Sequence, residues 1–168
     1  MKVVIRVIKI LISLLVVFFL LNFIYSLVMV GSHPYAEQYI LNVSEDEAIN
    51  EIEKLKRREL SLKVPIDDSS FGELSDGKSE NFYYTYFFLK DKKSVVLCYV
   101  KRINETTTTF ALISVGDGPN FLNSRTINAR KYFLLRDLSE EDNRKFKQDL
   151  EEQVLDKLGI KWKKNKWW

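Results

Sequence analysis

FYYTYFFLKDKKSVVLCYVKRINETTTTFALISV, residues 82–115, is the stretch whose reading decides the fold. It holds three runs, FYYTYFFL, SVVLCYV and TTTTFALISV. Each is rich in aromatic and β-branched residues, the side chains that suit a pleated, half-buried surface. Asp91-Lys92-Lys93 separates the first run from the second, and Asn104-Glu105 turns the second into the third. Links this short join antiparallel neighbours, because a parallel pair needs a crossover of a dozen or more residues. An antiparallel meander is therefore expected. GDGPN, residues 116–120, ends its third strand, and a fourth is expected near INARKYFL, residues 127–134.

The alternation inside these runs is unusual. Phe82, Tyr84, Tyr86 and Phe88 fall on one side of the first strand, and Tyr83, Thr85, Phe87 and Leu89 on the other. The second strand sets Val96, Cys98 and Val100 against Val95, Leu97 and Tyr99; the third sets Phe110 and Leu112 against Ala111, Ile113 and Val115. A sheet with one wet face would alternate with polar residues. This one is apolar on both faces, so both require cover.

Two helices flank the meander. In NVSEDEAINEIEKLKRREL, residues 42–60, Ser44 and Glu47 form a capping box, and acidic residues crowd the first turn, where the helix dipole favours them. Ile49, Ile52 and Leu55 make a narrow apolar stripe with Ala48 beside it, and the helix is expected over 45–59. A second helix starts at Ser139, whose capping box is completed by Asp142, carries Phe146, Leu150, Val154 and Leu158, and stops at Gly159. One helix per face would close the sheet. Two on the same face would leave an aromatic surface, around Tyr83, Phe87 and Tyr99, for a ligand or another chain. The pattern allows both arrangements. Between the first helix and the sheet, residues 61–80 read as a solvated loop holding Asp67, Asp68, Glu73, Asp76 and Glu80, in no spacing that fits a calcium loop.

The N-terminus carries a different signal. Ile10 to Val30 is a run of 21 uncharged residues, interrupted only by Ser13, Asn22 and Ser26. About 20 apolar residues cross a hydrocarbon core of roughly 30 Å as a helix, whereas the apolar core of a signal peptide spans roughly 7 to 15. The run is long enough to span. Val30-Gly31-Ser32 is the counter-signal, since it resembles a cleavage site; cutting there would release a secreted domain. Lys2, Arg6 and Lys9 precede the run, and no Lys or Arg follows until Lys54, which places the N-terminus in the cytoplasm and the remainder across the membrane. Two glycosylation triplets, Asn42-Val43-Ser44 and Asn104-Glu105-Thr106, fall on that outer side.

Charge and composition exclude several functions. The net charge of +3 resides in Lys2, Arg6 and Lys9; the other 23 Lys and Arg balance 23 Asp and Glu, which leaves no electrostatic footprint for nucleic acid. A single cysteine, Cys98, excludes an internal disulfide and a cysteine-based zinc site, and its apolar run suggests a small buried hydrophobe. The only histidine is His33, and no nucleophile elbow, phosphate loop or dinucleotide fingerprint occurs. No catalytic residue, metal ligand or cofactor is nominated. The C-terminus, IKWKKNKWW, interleaves Trp162, Trp167 and Trp168 with Lys161, Lys163, Lys164 and Lys166. Trp favours the bilayer interface and Lys favours anionic headgroups. The plainer alternative is a short strand at Ile160 and Trp162 followed by a fraying end.

Together these readings define an α+β protein. A basic flank at 1–9 lies in the cytoplasm, a single transmembrane helix at 10–30 contacts the bilayer, and a juxtamembrane segment follows at 31–43. An extracytoplasmic domain at 44–168 holds an antiparallel sheet of about four strands flanked by two helices. The expected function is non-catalytic: binding of a protein partner, self-association or assembly, with a small-molecule or lipid-binding module as the alternative. The order of elements resembles, in architecture alone, the periplasmic domains of envelope-spanning secretion machines, and no motif carries that likeness.

Overall fold

A computed structural model describes residues 11–19, 33, 35–65, 74–79, 81–117, 124–128 and 138–165. The chain divides into two compact units, Met1–Pro34 and Tyr35–Trp168. In the first, residues 11–19 form helix α1, with exposed apolar side chains from Leu11 to Phe19. Among the described residues no helix is long and apolar enough to cross a membrane. The rest of the expected span lies outside them.

The second unit is α+β, built on an antiparallel sheet of seven strands rather than four. Its spine is the expected meander: β3 (Phe82–Leu89), β4 (Ser94–Arg102) and β5 (Thr108–Asp117). The turn after β3 is a 3-10 turn over Lys90–Lys92 closed by Lys93, which takes a left-handed conformation at φ 48°. This turn sets Leu89 opposite Ser94 and so fixes the register as far as Tyr83 opposite Val100.

Four short strands account for the difference in number. β1 (Glu37–Leu41) lies inside the segment expected to be juxtamembrane and is inserted between β5 and β7 (Trp162–Lys164). β2 (Gly77–Ser79) pairs with β3, inside the segment expected to be a loop. β6 (Arg125–Thr126) pairs with β5. Most of the fourth strand expected at 127–134 lies outside the described residues. β7 matches the short strand expected at Ile160 and Trp162, whereas β1, β2 and β6, of two to five residues, show too little alternation to be seen in a sequence. Among the described residues the spatial order is β2-β3-β4-β5-β1-β7, with β2 paired to Phe82–Tyr84 of β3.

Helix α2 (Glu45–Arg58) begins where Ser44 Oγ accepts the Glu47 N–H at 3.3 Å. Helix α3 (Glu140–Gln153) begins where Ser139 Oγ accepts the Asp142 N–H at 3.0 Å and donates to Asp142 Oδ2 at 2.8 Å. α3 is shorter than the pattern indicated: after Val154 the chain tightens into a 3-10 turn at Leu155–Lys157, and Gly159 leaves it in the left-handed region at φ +72°. Both helices cover the same face of the sheet. Ala48, Ile52 and Leu55 of α2, with Phe146 and Leu150 of α3, enclose Tyr39, Leu41, Phe87, Leu89, Val96, Cys98, Val100, Phe110 and Leu112. On the opposite face a smaller cluster gathers Ala36, Tyr99, Ala111 and Ile113, with Phe82, Tyr84 and Leu97 packed against it.

A β-bulge corrects one expected side-chain direction. Leu97 faces Ser114 and Cys98 faces Leu112, so Ile113 is the extra residue in β5. An inserted residue reverses the parity of everything beyond it. Val115, expected to share a face with Ala111 and Ile113, therefore turns into the main core. The carbonyl of Ile113 is satisfied by the Ile127 N–H at 2.9 Å.

Replacing Ser139 by Ala should lower the stability of the full chain by about 1 kcal/mol. Leu150→Ala, at a fully buried position, should cost about 2–5 kcal/mol. Denaturant unfolding in detergent, followed by near-UV circular dichroism, measures both; equal losses would contradict this ranking of cap and core.

Candidate functional site

The aromatic trio singled out from the sequence does not share a surface. Phe87 is fully buried beneath the helices, and Tyr83, partly buried, packs against the same core. Tyr99 lies on the other face, opposite Tyr84 in register, 5 % exposed, with its ring 4.9 Å from that of Phe82. The register set by the 90–93 turn puts Tyr83 and Phe87 on the helix-covered face and Tyr99 on the other.

Two polar constellations emerge instead. The first lies under α2. Lys56, 8 % exposed, follows Leu55 on the buried side of the helix. Its ammonium donates to Asp76 Oδ2 at 2.5 Å and to Thr85 Oγ1 at 2.7 Å, and stands 4.5 Å from the centre of the Phe87 ring. Thr85 in turn donates to Asp76 Oδ2 at 3.1 Å, and Asp76 Oδ1 accepts the Tyr86 N–H at 3.0 Å. Asp76, expected in a solvated acidic loop, is thus a half-buried counter-ion that ties that segment to β3. Burial lowers the Lys56 pKa, an effect that the charge and hydrogen bond of Asp76 oppose. Burial, with the charges of Asp76 and Glu53, pushes the Tyr83 pKa up to about 12. An amine beside a hydroxyl can activate a nucleophile, but Thr85 is fully buried and donates its proton to Asp76. The cluster is a clamp. The signal for it in the sequence was Lys56 beside the apolar stripe.

The second constellation lines the seam of β1, α3 and β7. Tyr39, fully buried, donates its hydroxyl to Glu151 Oε1 at 2.9 Å, and Lys164 reaches the same oxygen at 2.9 Å. Burial and the Glu151 charge hold the Tyr39 hydroxyl protonated well above its usual pKa. Glu37 accepts from Lys147 and Asn128, each at 2.8 Å. An open groove of about 490 Å³ runs along this seam between Glu37, Glu140, Lys147, Glu151 and Lys164. Each of the two central carboxylates is held by a lysine and a second donor, an arrangement that fixes α3 against the sheet.

The tail residues divide. Trp162 is half-buried: its indole N–H donates to Asp156 Oδ1 at 3.0 Å and its ring meets Tyr39 edge-on at 5.6 Å. Lys164 is engaged with Glu151, whereas Lys161 and Lys163 are exposed. Lys166, Trp167 and Trp168 lie outside the described residues. Among the described residues no group of three or more His, Cys, Asp or Glu is placed to hold a metal ion. Cys98 is buried, and burial raises its thiol pKa.

Comparison with protein-family models, with curated proteins and with solved structures finds no match. The architectural likeness to secretion-machine domains therefore gains no support.

Two outcomes follow from the buried groups. A lysine whose folded pKa is lowered leaves the unfolded chain binding more protons between that value and 10.5; stability from this group rises with pH across that window. Lys56→Met should remove that rise, which urea midpoints of the two chains at neutral and alkaline pH would reveal. Asp76→Ala, which strands the ammonium, should destabilise by about 3–5 kcal/mol, more than Lys56→Met. Cys98 should resist maleimide in the native chain and react fully in guanidinium; mass spectrometry distinguishes the two, and rapid native labelling would contradict its burial.

Proposed function

We propose that this is a single-pass membrane protein, N-terminus in the cytoplasm, whose α+β domain stands across the membrane and works by binding another protein in an assembly or scaffold. The observation that carries the proposal is the uncharged run from Ile10 to Val30, flanked by basic residues on one side only and followed directly by a compact unit that begins at Tyr35. Its length suits a bilayer and its charge asymmetry sets its direction.

The domain itself supports a binding role over catalysis. Its best-formed polar clusters are consumed in holding helices to the sheet. The helices cover one face only, while the row Phe82, Tyr84, Tyr86 and Phe88 on the other keeps partial exposure. Aromatic residues at partial exposure are favoured contacts between proteins. The small-molecule alternative has less in its favour, because the groove along the β1, α3 and β7 seam is open and lined mostly by charged residues.

Alkaline carbonate extraction of membranes carrying the full chain, followed by intact mass, tests the anchor. The full-length mass should stay in the pellet; a soluble species beginning near His33 would make the run a cleaved signal. Crosslinking through a photoreactive residue at Tyr84, compared with one at the exposed Asn50 of α2, should give a discrete heavier adduct from Tyr84 alone.

A further inference from the structure

The tip of the β4–β5 hairpin carries one of the two glycosylation triplets, Asn104-Glu105-Thr106. Every residue from Lys101 to Thr106 is exposed. The turn is closed locally: the Thr107 carbonyl accepts the N–H groups of Ile103 and Asn104 at 3.0 and 3.1 Å. Inside it the asparagine and the threonine are bonded to each other. Asn104 Oδ1 accepts the Thr106 N–H at 2.9 Å and the Thr106 hydroxyl at 3.3 Å. These bonds all lie within residues 103–107, so the arrangement needs no distant part of the chain.

The other triplet, Asn42-Val43-Ser44, is used differently. Ser44 Oγ accepts the Glu47 N–H at 3.3 Å as the cap of α2. The Asn42 N–H is bonded to the Lys161 carbonyl at 3.1 Å, across the seam of β1 and β7. There the hydroxyl serves a helix; at the hairpin tip it serves the asparagine.

The hydroxyl matters because an amide nitrogen shares its lone pair with the carbonyl and is a weak nucleophile. Two donors on Oδ1 draw charge onto that oxygen and make an Nδ2 proton easier to remove. Nδ2 itself takes part in neither bond. A glycan is bulky and is accommodated at a surface loop, the setting this tip provides.

We propose that Asn104 is an acceptor for an N-linked glycan, supplied by a lipid-diphosphate-linked oligosaccharide. Nδ2 forms a bond to the anomeric carbon of the first sugar as the bond from that carbon to the diphosphate oxygen breaks. The lipid diphosphate leaves with the electron pair, and one Nδ2 proton passes to a carboxylate of the transferase. The proposal rests on the reading above that the domain stands across the membrane.

The test inserts the full chain, carrying Asn42→Gln so that one triplet remains, into sealed endoplasmic-reticulum microsomes, which supply the lipid-linked glycan. It reads protection of the domain from added protease, and a gel shift that an endoglycosidase removes. The domain should be protected and should carry a glycan. Asn104→Gln and Thr106→Val should each lose the shift, and Thr106→Ser should keep it. A protected domain without a glycan, or with one that survives Asn104→Gln, overturns the site and leaves the topology standing. A glycan that survives Thr106→Val overturns the part given to the hydroxyl. A domain digested by the protease overturns the topology, and the site with it.

Discussion

A meander apolar on both faces must lose water from two sides at once, and this chain supplies two amphipathic helices to do it. Both are placed on one side. That choice organises the rest of the domain. The covered face takes the large side chains, Phe87, Phe110 and Tyr39 among them, and forms one continuous core with α2 and α3. The bulge at Ile113 serves the same end by turning Val115 into that core. The other face keeps a smaller cluster around Tyr99 and Ile113 and an aromatic row on β3. The binding role proposed for the domain rests on this asymmetry.

The strong local patterns could be read from the sequence, and the weak ones could not. The three long strands were visible in aromatic and β-branched runs, and both helices in their capping boxes, because each of those signals is contained within a few neighbouring residues. β1, β2 and β6 were not visible, and β7 was seen only as a short strand at Ile160 and Trp162, one of two readings of the tail. Each is defined by the strand beside it, and EQYIL or GKS alone carries too little period to announce a strand. The division of the aromatic trio between the two faces was hidden for a related reason. Alternation within a strand is a property of sequence, whereas the matching of faces between strands depends on the register set by the turn at Lys90–Lys93. The bulge has no mark in FALISV at all.

The polar clusters obey the same rule. Asp76 stood among acidic residues in a segment that composition assigns to solvent, yet it meets Lys56, 20 positions earlier in the chain. A buried ion pair recovers its desolvation cost only with good geometry and further hydrogen bonds, and here Thr85 and the Tyr86 amide provide them. Glu151 plays the corresponding part for Tyr39 and Lys164. Lysine at the rim of an apolar helix stripe proved the most useful unread signal.

The position of β1 has a mechanical meaning. It is the first strand after the N-terminal unit, and it is hydrogen-bonded along both sides, to β5 and to β7. A pull directed along this strand meets both ladders at once. The ladder bonds lie across the strand axis, so the load falls on many of them together in shear instead of peeling them one at a time. A strand gripped on two flanks resists such a pull far better than an edge strand would, and the chain places that grip where tension from the N-terminal side first enters the fold.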